Sequence, residues 1–280
     1  MQLYTQALKS VLDQSFKEDF GLNGDITSNS VIDSNKEVSF HISSRENIIL
    51  CGVNIAEYFF RQYSNIKYKV HIKDSGSVKA GGVIISGHGS AREILLLERI
   101  ILNYLQMLSG ISTLTNKYVL EVKGTKAKIC DTRKTTPGLR AMQKYAVRCG
   151  GGYNHRSSLD GSILIKDNHI SICGSVTEAL QKAKLASPHY AKIEIECDLI
   201  DQVQEALKEG VDIIMLDNMT THQIKEAVKI IGNAATIEVS GGVNLETVGA
   251  IARAGVDIIS VGRLTHSSPA VDIGLDMGGK

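Results

Sequence analysis

Residues 192–262 read KIEIECDLIDQVQEALKEGVDIIMLDNMTTHQIKEAVKIIGNAATIEVSGGVNLETVGAIARAGVDIISVG. Short runs rich in isoleucine and valine alternate here with segments whose apolar residues recur at helical spacing. This alternation is typical of repeated strand–helix units built on a parallel sheet. Together with two earlier runs, the pattern predicts six strands and four helices. The predicted strands are 127–131, 162–167, 192–197, 212–217, 236–241 and 257–262, and the helices are 175–186, 199–209, 220–231 and 244–254.

Each predicted strand ends in residues that can bind or react. The carboxyl ends of the strands of a strand–helix barrel meet at one rim, where such proteins build their active sites. A charged group inside a buried strand is costly unless it is paired, so a full set of such ends predicts a functional site. The residues concerned are Asp131 with Arg133, then Lys166, Glu196, Asp217, Ser240 with Gly241 and Gly242, and Gly262.

The first hundred residues have a different pattern, which predicts an α+β domain. Strands are expected at 37–43, 66–73 and 82–89, and helices at 54–63 and 91–108. We expect the boundary near Ser109-Gly110. This gives an N-terminal α+β domain over 1–109 and a second domain of strand–helix units over 110–267, and a tail at 268–280 is expected to pack back on the first domain.

Positive charge is concentrated between Lys123 and His169. This segment has ten lysine or arginine residues against three aspartates, a formal charge of +7, whereas the entire chain carries +1. Arginine matches carboxylate or phosphate with two parallel hydrogen bonds, and lysine adds a point charge beside it. The motifs Thr132-Arg133-Lys134 and His155-Arg156 therefore predict binding of an anion.

The composition excludes several classes of protein. A net charge near zero argues against a nucleic-acid binder, which usually has a strongly basic face, and no apolar segment reaches the about 18 residues of a membrane span. The amphipathic N-terminus lacks the features of a signal peptide. The five cysteines form no CxxC pair, which favours reduced thiols in the cytoplasm.

Taken together, these motifs resemble the quinolinate phosphoribosyltransferase family, also called carboxylating nicotinate-nucleotide pyrophosphorylases. The resemblance covers nearly the whole chain in the family's order, and it is specific because many short motifs match jointly. The matching segments are EDFGLNGDITS (18–28), ERIILNYLQMLSGIST (98–113), DTRKTTPGLR (131–140), KYAVRCGGGYNHR (144–156), ILIKDNH (163–169), EIEC (194–197), MLDN (215–218), EVSGGV (238–243) and SVGRLTHS (260–267).

The resemblance implies a pentosyltransferase of de novo NAD biosynthesis. Quinolinate and phosphoribosyl pyrophosphate would give nicotinate mononucleotide, pyrophosphate and carbon dioxide, with Mg²⁺ assisting. The implied fold is an N-terminal sandwich domain followed by an incomplete, seven-stranded α/β barrel. The implied assembly is a homodimer, or a hexamer made of three dimers.

The resemblance also implies roles for particular residues. Quinolinate would be bound by Arg133, His155, Arg156 and Lys166, with Arg99 reaching in from the neighbouring subunit. Thr132 would also bind substrate. Lys134 and Lys166 would face the phosphates, Glu196 and Asp217 would hold the ribose hydroxyls and the Mg²⁺, and Ser240, Gly241, Gly242, Val261, Gly262 and Arg263 would bind the 5′-phosphate. Lys134, Lys166, Glu196 and Asp217 are the predicted catalytic residues.

Two departures from the family pattern and two alternative functions remain. Ser157-Ser158 stands where the family often has Met-Gly, and Arg263 stands where it usually has a small residue, so Arg263 is predicted to add a phosphate contact. One alternative is a relative that uses another pyridine acid or another reaction. The other is a nucleic-acid module at 123–156, although such modules usually interleave aromatic residues for stacking and this segment has only Tyr145 and Tyr153.

Overall fold

A computed structural model describes residues 8–278 of the chain. It contains two compact units. Unit 1 comprises the described residues up to Asn116, Thr136–Gly151, and the residues from Ser267 onward, and unit 2 comprises Lys117–Thr135 and Gly152–His266.

The described part of unit 1 contains six strands, and four of them form an antiparallel sheet. The strands are β1 (Glu37–Ser44), β2 (Ile48–Ile49), β3 (Lys67–Val70), β4 (Ser77–Val78), β5 (Val83–Ser90) and, at the C-terminus, β12 (Ile273–Met277). The sheet has the order β12-β1-β5-β3, and β2 pairs separately with β4. The C-terminal residues therefore lie beside the first strand of the chain.

Five helices of the described chain lie in unit 1 or begin there. They are α1 (Lys9–Phe20), α2 (Ile26–Val31), α3 (Val53–Tyr63), α4 (Ala91–Glu121) and α5 (Arg140–Cys149). Phe60 of α3 packs against Phe40 of β1 with ring centroids 5.8 Å apart. Both rings are buried, so this contact belongs to the core of unit 1.

Helix α4 is longer than the sequence predicts, and the expected boundary at Ser109-Gly110 lies inside it. Ser109 and Ser112 lie inside the helix, and their hydroxyls donate to the carbonyls of Cys51 and Ile49. Gly110 has a packing role, since a Cβ atom there would lie 2.1 Å from the carbonyl oxygen of Pro269. Hydrophilic and small residues thus serve tertiary contacts here.

Helix α4 is also the described helix that is long and apolar enough to cross a membrane by length and composition alone. In its most apolar window, 61% of the residues are buried inside the protein. That burial is typical of a core helix of a soluble protein.

Unit 2 is a parallel sheet of six strands with helices between them, which confirms the predicted fold class. The strands are β6 (Lys128–Cys130), β7 (Ile163–Ile165), β8 (Ile193–Cys197), β9 (Ile213–Asp217), β10 (Thr236–Ser240) and β11 (Ile258–Ser260), and the helices are α6 (Asp167–Cys173), α7 (Val176–Ala186), α8 (Ile200–Lys208), α9 (Thr221–Ile231), α10 (Val248–Arg253) and α11 (Arg263–His266).

The six strands have the order β6-β11-β10-β9-β8-β7. The resemblance implies seven barrel strands, and unit 2 has six. One further parallel bridge joins Cys130 to Tyr153. The backbone of Tyr153 exchanges hydrogen bonds with Ile129 and Asp131. The chain just before His155 is therefore attached to the edge of β6.

Candidate active site

A cavity of about 410 Å³ lies at the carboxyl ends of the strands of unit 2. It brings together nine of the predicted site residues. Predicted residues outside its lining are Arg99, Gly241, Gly242, Val261, Gly262 and Arg263. The lining consists of Thr132, Arg133, Lys134, His155, Arg156, Leu164, Lys166, Asp167, Glu196, Met215, Asp217, Glu238, Ser240 and Ser260.

The register of the parallel strands explains why these side chains meet. Met215 of β9 pairs with Glu196 of β8 and with Glu238 of β10, and Asp217 pairs with Ser240. Side chains two residues apart on a strand share a face. The polar residues near the strand ends therefore point into the same cavity.

The charge inside the cavity is balanced, although the sequence segment around it is strongly basic. Only four of the ten segment cations line the cavity, and four carboxylates line it with them. Lys126 instead pairs with Asp257 at 2.7 Å, and Lys128 lies 5.1 Å from the ring centroid of Tyr153. The cations on α5 belong to unit 1. Folding thus places four of the ten cations in the cavity, together with four carboxylates.

Two arginines in the cavity have unused hydrogen-bonding capacity. The Nε atoms of Arg133 and Arg156 are buried and, within residues 8–278, have no hydrogen-bond partner. Arg156 is oriented by a hydrogen bond from its Nη1 to the carbonyl of Ser162, 2.7 Å long. Burial, followed by the charge of Arg133, lowers the pKa of Arg156. Because buried polar groups are normally paired, these two guanidinium groups can donate hydrogen bonds to an anionic ligand.

His155 is held through both of its ring nitrogens. Its Nε2 lies 3.1 Å from Oε2 of Glu194 and 3.7 Å from Oε1 of Glu238. Its Nδ1 accepts the backbone N–H of Arg156 at 2.8 Å, which leaves the proton of a neutral ring on Nε2. The direct contact of His155 with a substrate carboxylate stays a prediction, whereas these hydrogen bonds orient the backbone of Arg156.

Asp131 orients the segment that contains His155 and Arg156. Its side chain is fully buried, and its Oδ1 accepts the backbone N–H of His155 at 2.9 Å. Its other oxygen accepts a hydrogen bond from the side chain of Asn154. This strand-end acid therefore positions the His155-Arg156 motif.

Glu194 and Glu238 were not among the predicted site residues, yet both lie beside His155, and Glu238 lines the cavity. They are 3% and 2% exposed, and their carboxylates lie within 4.8 Å of each other and of His155. Ser260 donates its hydroxyl hydrogen to Glu238. The signal that identifies them is the two-residue period of a strand, since Glu194 precedes Glu196 by two positions and Glu238 precedes Ser240 by two.

Replacing Glu238 with glutamine will remove part of the pH dependence of stability. Burial, and then the charge of Glu194, raise the pKa of Glu238 from its ordinary 4.5 to about 7. The stability that the protonated carboxyl contributes is therefore fully present below about pH 4.5 and is lost as the pH rises through about 7, an effect of the order of 3 kcal/mol. Chemical denaturation from about pH 4 to about pH 8 measures it.

Glutamine is the appropriate replacement because it resembles the protonated carboxyl. Its oxygen can accept from Ser260, and its amide can donate to Glu194. The free energy of unfolding of the wild type should fall relative to Glu238→Gln as the pH rises. Parallel curves for the two proteins would contradict the raised pKa.

Lys166 and Glu196 form an ion pair at the rim. The Nζ atom of Lys166 contacts Oε1 of Glu196, and the lysine side chain remains 44% exposed. Asp217 accepts a hydrogen bond from the side chain of Asn218 at 2.7 Å. The carboxylates of Glu196 and Asp217 both line the cavity. Carboxylate oxygens are the protein ligands that Mg²⁺ prefers, so this donor set fits the predicted metal.

The two glycine-rich strand ends differ in what they offer a phosphate. Gly241 and Gly242 have φ values of 87° and 62°, which continue the chain from Ser240 in a turn that only glycine adopts freely. At the next strand end, the backbone N–H of Val261 already donates to Cys130 at 2.9 Å. Arg263 begins α11 and is exposed. Phosphate binding by these residues stays a prediction. The backbone N–H of Val261 is already hydrogen-bonded to Cys130 and is not available to a phosphate in this arrangement.

Gly241→Ala will destabilise the protein more than Gly242→Ala. Both changes place a side chain in a left-handed conformation, which costs about 1–2 kcal/mol. Only at Gly241 would the new Cβ also overlap Asn218, at 2.2 Å from its Oδ1 and 2.8 Å from its backbone nitrogen, whereas the space at Gly242 is open. Thermal unfolding of both variants checks this order, and equal losses would contradict the close packing.

The comparisons with known proteins agree along the whole chain. Residues 25–109 match the model of the quinolinate phosphoribosyl transferase N-terminal domain, and residues 111–276 match that of its C-terminal domain. A probable nicotinate-nucleotide pyrophosphorylase [carboxylating] of Bacillus subtilis is 42% identical over 270 residues, which are 96% of this chain and 93% of that protein.

Two further relatives are a protein of Mycobacterium leprae and a solved structure from Ehrlichia chaffeensis. The nicotinate-nucleotide pyrophosphorylase [carboxylating] of Mycobacterium leprae is 39% identical over 97% of both chains. The crystal structure of nicotinate-nucleotide pyrophosphorylase from Ehrlichia chaffeensis has a TM-score of 0.95 at 44% identity, and the match covers 99% of this chain and 100% of that chain. The chain therefore belongs to the quinolinate phosphoribosyltransferase family.

Proposed function

We propose that the cavity of unit 2 is where this chain carries out the reaction of its family. The enzyme transfers the phosphoribosyl group of phosphoribosyl pyrophosphate to quinolinate and releases pyrophosphate and carbon dioxide, which gives nicotinate mononucleotide for NAD biosynthesis. The observation that supports this assignment to the cavity is that the Nε atoms of Arg133 and Arg156 are buried and have no hydrogen-bond partner among residues 8–278. Both arginines line the same cavity as Glu196 and Asp217. The cavity therefore offers cations for the carboxylates of quinolinate and anions for the positive charge that develops on the ribose.

The basic residues hold the acid substrate. Quinolinate is a dianion, and a pair of guanidinium groups can bind its two carboxylates through charge-assisted hydrogen bonds. Arg133, Arg156 and Lys166 supply this charge, with Thr132 and His155 at the cavity wall. Fixing the ring in this way brings its nitrogen to the ribose carbon, and such positioning lowers the entropic part of the barrier.

The acidic residues stabilise positive charge that develops on the ribose. Pyrophosphate leaves C1 through a transition state of oxocarbenium character, and the carboxylates of Glu196 and Asp217 favour that charge in a partly buried site. The pyridine nitrogen then forms the new bond, and it needs no general base because it carries no proton. The resulting positive ring favours loss of the carboxylate next to the nitrogen as carbon dioxide, and the electron pair left on that ring carbon takes up a proton from water.

The phosphate groups and Mg²⁺ occupy the remaining polar surface in this proposal. Glu196 and Asp217 would hold the metal, which when bound neutralises negative charge on the pyrophosphate. Lys134 and Lys166 would face the pyrophosphate. Ser240, Gly241 and Gly242 would bind the 5′-phosphate, and Gly262 and Arg263 would add to that site.

We also propose that the active enzyme is a homodimer, or a hexamer of such dimers, in the cytoplasm. Arg99 is exposed on α4 in unit 1, as a residue that completes the site of a second chain must be. The five cysteines are free, which is consistent with a reducing compartment.

Mixing Arg99→Ala with Arg133→Ala protein will restore activity that neither variant has alone. If Arg99 acts in trans, a mixed dimer contains one site in which both arginines are present. The rate of nicotinate mononucleotide formation is measured before and after subunit exchange. A mixture no more active than its components, when exchange is demonstrated by differently tagged subunits, would argue against Arg99 acting in trans.

The activity itself is tested with the purified protein, quinolinate and phosphoribosyl pyrophosphate. We expect equal amounts of nicotinate mononucleotide and carbon dioxide, formed only when Mg²⁺ is present. Nicotinate serves as the matched alternative substrate because it lacks the second carboxylate. Turnover of nicotinate without release of carbon dioxide from quinolinate would overturn the assignment in favour of another pyridine acid.

A further inference from the structure

A second cluster of reactive groups lies within unit 1 and does not line the cavity of unit 2. It consists of Cys51, Asp74, Tyr145 and Cys149. The Sγ atoms of both cysteines and a carboxylate oxygen of Asp74 all lie within 4.8 Å of one another. Cys51 is fully buried and Cys149 is 8% exposed, so two thiols that are far apart in the chain meet in a protected place.

The backbone on both sides of the cluster is held in place. Cys51 donates its N–H to the hydroxyl oxygen of Ser109 at 3.0 Å, and that hydroxyl donates to the carbonyl of Cys51 at 3.1 Å. Cys149 is the last residue of α5. Tyr145, one helical turn earlier, donates its hydroxyl hydrogen to Asp74 at 2.9 Å. The meeting of the two thiols therefore follows from ordered structure on each side.

The geometry favours a dithiol over a metal site. A structural zinc ion needs four ligands. One oxygen of Asp74 accepts the backbone N–H of Val53 at the start of α3, and the other accepts the hydroxyl hydrogen of Tyr145. With this carboxylate committed, the two sulfur atoms are the donors that remain in the cluster.

The surroundings also distinguish the two sulfurs. Burial raises the pKa of Cys51 well above its ordinary value. A hydrogen bond with Cys51 lowers the pKa of Cys149, and one with Ser75 adds to this effect, against the opposing effect of burial. A thiolate is the nucleophilic form of cysteine, so Cys149 is the sulfur that reacts first.

We propose that Cys51 and Cys149 form an oxidation site that a peroxide converts to a disulfide. The thiolate of Cys149 attacks one peroxide oxygen, the O–O bond breaks, and a sulfenic acid forms on Cys149. The sulfur of Cys51 then attacks Sγ of Cys149, the S–O bond breaks and the S–S bond forms. In total two thiols lose two electrons and two protons, and one hydrogen peroxide becomes two waters.

The cross-link joins two positions about 98 residues apart in the chain. Closing so long a loop restricts the unfolded chain, and so it stabilises the native state. The oxidised protein should unfold at a temperature several degrees higher than the reduced protein. Adding a thiol reductant should reverse this shift.

The test uses the full-length protein and hydrogen peroxide as the probe. After oxidation, thiols that remain are alkylated, and peptides are analysed by mass spectrometry with and without reductant. We expect one disulfide-linked peptide that contains Cys51 and Cys149, together with the reversible rise in unfolding temperature. Cys149→Ala should lose both effects, whereas Cys173→Ala, which removes a partly exposed thiol outside the cluster, should keep them.

Two results would overturn the proposal. One is that Cys51 and Cys149 both remain alkylatable after oxidation of the wild type, a measurement that does not depend on whether any variant folds. The other is that the purified protein holds one equivalent of zinc that Cys51→Ala loses, which would make the cluster a metal site.

Discussion

Arg133→Ala will lower kcat/KM for quinolinate by about 30-fold or more. The Nε atom of Arg133 is buried without a partner among the described residues of the chain, and it lines the cavity together with Arg156. Removing one partner of a buried, hydrogen-bonded charge pair costs about 2–5 kcal/mol, and each 1.4 kcal/mol corresponds to about a tenfold change. Steady-state kinetics with quinolinate as the varied substrate measure this loss.

The matched control for Arg133 is Lys123→Ala. Lys123 belongs to the same basic segment and is exposed, but it is not part of the cavity lining. Both variants reduce the net charge equally, so a general effect of charge would lower both activities. Arg133→Lys separates charge from shape, because lysine keeps the charge and loses the planar fork. Full activity in Arg133→Ala would remove this residue from the substrate site.

Lys166→Ala will lower kcat by about two orders of magnitude while changing the free energy of unfolding by less than about 1 kcal/mol. Lys166 contacts Glu196, so the alternative reading is an ion pair that only stabilises the fold. An ion pair whose lysine is 44% exposed contributes little to stability, about 0–1 kcal/mol. Its placement on the cavity wall beside Glu196 and Asp217 predicts that its main effect is on the reaction. Kinetics and chemical denaturation of the same preparation measure the two quantities.

Lys182→Ala provides the comparison for this prediction. Lys182 pairs with Glu178 at 3.2 Å on the surface of α7, so the change also deletes a half of an exposed ion pair. We expect this variant to match the wild type in activity and to change stability as little as Lys166→Ala does. If Lys166→Ala instead unfolds easily and keeps its kcat, the pair with Glu196 is structural.

Much of the site could be predicted because strand-end residues follow from local periodicity. Glu196 and Asp217 lie in and at the end of strands that the apolar runs predicted to within a residue or two. Glu194 and Glu238 were not predicted because they lie inside their strands and not at the strand ends. The same two-residue period also directs these more deeply placed side chains inward, and their burial then raises the pKa of Glu238.

Two other differences arise because linear proximity is a poor guide to spatial proximity. The basic segment forms one cluster in the sequence, but its middle part, Thr136–Gly151, belongs to unit 1. Helix α4 passes through Ser109-Gly110 because serine hydroxyls and a small residue meet distant backbone atoms there. A local sequence pattern cannot predict these contacts, because the partner atoms belong to Cys51 and Pro269, which are far away in the chain.

The amino-acid sequence by itself determined the alternation of strands and helices, the rim where catalytic groups collect, and the family, because each of these follows from periodicity and from the order of short motifs. Only the tertiary structure decided which four cations enter the cavity, that Arg133 and Arg156 keep buried, unpartnered Nε atoms within the described chain, and that His155 is held between Arg156 and two buried acids. It also decided that Cys51 meets Cys149. The physical reason is that hydrogen bonding, burial and pKa depend on distances between residues remote in the chain, and packing alone sets those distances.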